Sequence, residues 1–107
     1  MKDWRNITIE GIGSIEKVVA EFNVWPDHRL SISKFKVKIR EKKSGSFFGT
    51  ANVAVKSQID GEPDWISGSG DTVAEALEDT VRNFLSTLDG FSELLEDDFI
   101  WADLYDF

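Results

Sequence analysis

Cysteine is absent from this 107-residue chain, and histidine, tyrosine and methionine occur once each. Without cysteine there is no disulfide framework, no thiol nucleophile and no cysteine-based zinc site. The fold must rest on packing alone, and a chain of this length can bury a core as one domain. The lone histidine, His28, stands beside Asp27 in a turn and has no second histidine to share a metal with. No nucleophile elbow offers a serine partner for it. The aspartates at 97, 98, 103 and 106 lack the spacing and central glycine of an EF-hand loop. These absences predict a non-enzymatic protein with no metal and no cofactor. No apolar run approaches the roughly 20 residues that span a bilayer. No apolar stretch follows Met1–Trp4 as it would in a signal peptide. The expected setting is therefore cytoplasmic, away from membranes.

Bases are missing from the last nineteen residues. From Asp89 to Phe107 the chain holds seven acids and no Lys or Arg, while the other thirteen acids and all twelve bases precede it. The body therefore stands near neutrality, at −1, and the segment carries −7 of the net −8. The same segment is rich in Phe, Leu, Ile, Trp and Tyr. An acidic, aromatic segment of this kind suits docking on a basic and apolar surface, whether of its own body or of a partner. The chain divides accordingly into a domain over 1–88 and an acidic aromatic segment over 89–107, which is expected to pack on the domain.

Periodicity organises the body. After Ser14, apolar residues Ile15, Val18, Val19 and Phe22 fall at i, i+3, i+4 and i+7 and predict a short helix, with a strand as its competitor because of the β-branched content. Trp25-Pro26-Asp27-His28 reads as a turn. Phe35, Val37 and Ile39 alternate with Lys34, Lys36, Lys38 and Arg40, a strand with one basic face. A polar loop at 42–46 leads to a second strand over 50–56, and Asp60-Gly61 makes a turn. A third strand covers 65–68 before Gly68-Ser69-Gly70 breaks it. Thr72 and Glu75 then form a capping box, and Val73, Leu77, Val81, Phe84 and Leu88 mark one face of a helix that stops at Asp89-Gly90. The predicted fold is α+β. It has a three-stranded antiparallel sheet with helices on one face, in α-β-β-β-α order, and the C-terminal segment adds a further helix or tail.

The stretch Gly68-Ser69-Gly70-Asp71-Thr72-Val73-Ala74-Glu75-Ala76-Leu77 resembles two families. Double-stranded-RNA-binding domains share the element order and a strand-Gly-x-Gly-helix junction. HicB-type antitoxins share three strands leading into a helix that opens Gly-Asp-Thr-x-x-Glu-Ala-Leu. The first resemblance implies a fold and not its RNA binding. That family grips phosphate with lysines at the helix start, where this chain has Asp71, Thr72, Val73, Ala74 and Glu75. The loop at 42–46 also lacks that family's Gly-Pro-x-His element, and the antitoxin family's Pro-Gly-Cys segment is missing.

Two constellations carry candidate function. The acidic aromatic residues Asp97, Asp98, Phe99, Trp101, Asp103, Tyr105, Asp106 and Phe107 form a candidate protein-binding surface, with the helix acids Glu75, Glu78 and Asp79 beside Arg82 as a further one. Inhibitors and antitoxins use such acidic surfaces to cover basic sites. The leading expectation is accordingly a small regulatory protein, monomeric or homodimeric, that binds a protein partner. The second constellation is Lys34, Lys36, Lys38, Arg40 and Lys42. Charges at i, i+2 stand roughly 6.5–7 Å apart, close to the phosphate spacing of an extended single strand, and Phe47 or Phe48 offers a stacking surface. Its ordinary reading is a solvated sheet face whose lysines discourage edge pairing. Asp103–Phe107 also resembles the acidic, Phe-ended tips of single-stranded-DNA-binding proteins, without the proline of the bacterial form. The alternative expectation is thus a nucleic-acid binder, phage-like, with a basic strand face and an autoregulatory acidic tail.

Overall fold

The structure is a computed structural model that describes residues 3–27, 30–89, 91, 94–103 and 107. Its elements are β1 (Lys17–Val24), β2 (Phe35–Glu41), β3 (Phe47–Lys56), β4 (Pro63–Gly70), α1 (Val73–Leu88) and β5 (Phe99–Trp101), with single 3-10 turns at Trp4–Asn6 and Glu96–Asp98. The strands form one antiparallel sheet in the order β1-β2-β3-β4, and β5 also pairs with β3. The order is therefore β-β-β-β-α, and the predicted α-β-β-β-α order with three strands is corrected.

The first predicted helix is strand β1. Its residues pair with β2 from Lys17↔Glu41 to Val24↔Phe35, and the register slips between Val18 and Ala20. The slip inserts Val19 as an extra residue. A period-two pattern interrupted by one extra residue produces neighbouring apolar positions and then resumes. That is how Val18, Val19 and Phe22 acquire helical spacing without a helix.

Gly68 and Gly70 also differ from expectation, because they lie inside β4 and do not end it at 68. Together with Gly49 of β3 they form a bare patch on the sheet. A Cβ on Gly70 would stand 2.5 Å from Glu75 Cβ, and one on Gly68 would stand 2.7 Å from Thr80 Oγ1. Without side chains there, the backbone of α1 comes down directly on the strands. The most buried line of α1 is consequently Ala76, Thr80, Phe84 and Leu88. Val73, Leu77 and Val81, predicted at its centre, flank it half-buried. Thr80 is fully buried, and its hydroxyl donates to the Ala76 carbonyl at 2.7 Å, which removes the cost of burying it.

The rest of the core follows the alternation of the strands. Phe35, Val37, Ile39, Ala51, Val53, Val55 and Ile66 face α1 and are buried with Phe84. The Phe84 ring lies 4.5 Å from that of Phe35 and 6.4 Å from that of Phe99, centroid to centroid. Phe99, from the acidic segment, is only 6% exposed. The turns at Gly45 and Gly61 both use positive φ, at 91° and 75°. At the end of the sheet α1 seals the outer edge of β4, where Ser69 N–H donates to Asp79 at 2.9 Å and Asn83 donates to the Ser67 carbonyl at 2.8 Å.

Asn52 marks a fork in the sheet. Pairing of β2 with β3 ends at Val37↔Ala51, and β5 takes the same edge of β3 from Val53 onward, since β4 holds the other edge at Ala54↔Trp65. The Asn52 side chain accepts from the Lys36 N–H at 2.8 Å, and its carbonyl accepts from the Ala102 N–H at 2.8 Å. One residue thereby satisfies the backbone of both departing and arriving strands.

Candidate functional site: the open face of the sheet

Because Phe35, Val37 and Ile39 are buried under α1, the pleat sends Lys36, Lys38 and Arg40 to the opposite face. None of the described helical elements covers that face. Register builds it in rows: Val18, Arg40, Phe48 and Ser69 form one, and Glu21, Lys38, Thr50 and Ser67 the next. Asn23 and Lys36 begin a third. Glu21 pairs with Lys36 at 4.0 Å. Arg40 donates from Nη1 to Thr50 Oγ1 at 2.7 Å, which sets the direction of its guanidinium.

The other two predicted bases stand at the rims. Lys34 precedes β2, and its ammonium lies 5.2 Å from the Trp25 ring. Lys42 follows β2 and reaches back over Phe48, at 4.9 Å from the ring centroid. The face therefore carries three bases in a row, with a fourth leaning on an aromatic beside them.

The acidic segment meets this face. The carbonyl of Phe107 accepts a hydrogen bond from Lys38 Nζ, and the same ammonium stands 4.5 Å from the centre of the Phe107 ring. Phe107 shares a groove of about 620 Å³ with Arg40, Thr50, Trp65, Ser67 and Trp101. Trp65 is 49% exposed in it, while Trp101, 45% exposed, pairs with Val53 and so starts on the α1 side of the sheet with Phe99. Trp65 was not singled out from the sequence. The signal was present, since its neighbour Ile66 is apolar and a strand residue beside a core residue points the other way.

The remaining candidates of the acidic segment scatter. Asp97 and Asp103 are exposed, Asp98 accepts the Leu95 N–H at 2.8 Å, and Phe99 is part of the core. Tyr105 and Asp106 lie outside the described residues, as does His28. The helix acids have local partners: Glu75 accepts the Asp71 N–H at 2.9 Å, Glu78 pairs with Arg82 at 2.6 Å, and Asp79 holds β4. Among the described residues no cluster of His, Cys, Asp and Glu is arranged to hold a metal ion, and no helix is long and apolar enough to cross a membrane. No protein-family model, curated protein or solved structure matches the chain.

Proposed function

We propose that the open sheet face binds single-stranded nucleic acid. The observation that carries this reading is the row Lys36, Lys38 and Arg40 on a face that α1 leaves bare, with Phe48 and Trp65 on neighbouring strands. Phosphates would follow the three bases and Lys42, while bases of the strand would stack on the aromatics. The net charge of −8 argues against binding by the molecule as a whole. On the strands of this face the bases outnumber the acids, with Lys36, Lys38 and Arg40 against Glu21, and the acidic segment that reaches it through Phe107 is a competitor that a bound strand must displace.

Binding of an acidic aromatic surface to a protein partner is the second reading. Exposed Asp97 and Asp103 and half-exposed Trp101 favour it. It ranks below the first because Phe99 is committed to the core and the acids of α1 already have intramolecular partners.

A fluorescent oligothymidylate, titrated at several salt concentrations, tests the first reading. Three or four phosphate contacts predict a slope of log K against log[salt] of about −2 to −3. Lys36→Ala combined with Arg40→Ala is expected to flatten that slope by about one to two. No binding at low salt, or binding indifferent to both substitutions, would sink the proposal.

A further inference from the structure

We infer that the groove beside Trp65 is a nucleobase subsite, and that Phe107 occupies it as a stand-in for a nucleotide when nucleic acid is absent. This inference rests on the reading of the open face given above. It begins from what Phe107 presents to the protein. Its ring and its carbonyl oxygen both engage the one ammonium of Lys38. A nucleotide offers a related combination, an aromatic plate with phosphate oxygens that accept from an ammonium more strongly than a carbonyl does.

The groove fits that description. Its volume of about 620 Å³ lies within the range of small-molecule sites. Trp65 stands in it roughly half exposed, its ring open to a stacking base. Its polar residues are Arg40, Thr50, whose hydroxyl steers the guanidinium, Ser67 and Asp103; the first three can hydrogen-bond a base edge or a phosphate, and the carboxylate can only accept from a base edge. Phe107 lies in the same chain as the groove, so even a weak contact closes it for a large part of the time. An incoming strand must displace the ring, and its measured affinity falls by the fraction of molecules that are closed. Trp65 is then a base-stacking residue, and Lys38 is the group that passes from the Phe107 oxygen to a phosphate.

Two substitutions test this, with folding checked by circular dichroism. Phe107→Ala is expected to bind oligothymidylate about three- to ten-fold more tightly than the unaltered protein. Trp65→Ala is expected to bind it about ten-fold more weakly, yet to bind inorganic polyphosphate, added as an unlabelled competitor, as well as before. Affinity for oligothymidylate unchanged by Phe107→Ala would overturn the stand-in. Equal losses of oligothymidylate and polyphosphate in Trp65→Ala would overturn the base subsite and leave only a charged face. If neither the unaltered protein nor the Phe107→Ala variant bound either probe at low salt, the nucleic-acid reading itself would fall, and this inference with it.

Discussion

A methyl group on Gly68 would lie 2.7 Å from the buried hydroxyl of Thr80 and also overlap the helix backbone. Neither neighbour is the free end of a flexible side chain, so α1 must lift off the sheet to make room. Gly68→Ala is therefore expected to destabilise the protein by about 1–3 kcal/mol, the usual cost of overpacking. Gly13 has nothing within 4 Å of its own missing Cβ, so Gly13→Ala serves as the control and should leave the urea midpoint almost unchanged. Equal midpoints for the two variants would refute the account of the patch. In the sequence these glycines read as a break after a strand. A turn and a close helix contact both demand the absence of a side chain, so composition alone does not separate them. The separating signal is positional: Ile66, Gly68 and Gly70 fall on one face at spacing two, which continues the strand up to the helix.

At the scale of elements, α1 was the most legible. Its start and its extent follow from local chemistry. Thr72 Oγ1 accepts the Glu75 N–H at 3.1 Å, and the Glu75 carboxylate reaches back to the Asp71 N–H, one residue before the expected N-cap partner. Thr72→Ala removes one of these bonds and should cost about 0.5–2 kcal/mol, readable as a lower melting temperature with an unchanged fold. No change in melting temperature would mean that packing on the glycine patch alone holds the first turn. The stripe itself was displaced by one residue, from Leu77 to Ala76, because the depth of a helix on a sheet depends on what the sheet presents. β1 was the least legible element. Its bulge at Val19 disguises alternation as helical spacing, and only the partner strand reveals the register. β2 lay between these cases: its alternation was plain, but Lys34 and Lys42 fall just outside the strand, so two of five predicted bases turn to Trp25 and Phe48 instead of joining the row.

At the scale of the whole molecule, charge segregation was readable from composition, and its geometric outcome was not. Electrostatics draws a −7 segment toward a basic face, but exposed pairs of that kind contribute only about 0–1 kcal/mol each. What anchors the segment is Phe99, buried against Phe84, with three residues of β5 added to β3. Salt is therefore expected to loosen the contact at Lys38 and to leave β5 in place. The fork at Asn52 also implies an order of assembly. Strands β1 to β4 meet through short connections, whereas β5 must return from beyond α1 to reach β3. Pairings that close long loops tend to form late and open early. The meander and α1 should come together first, with the edge of β3 beyond Asn52 bare until the end of the chain arrives. Native-state hydrogen exchange gives the readout: the amides of Phe99–Trp101 are expected to exchange ahead of those shared by β2 and β3. Equal protection of the two groups would mean that β5 opens only with the rest of the sheet and would refute its separate, late docking.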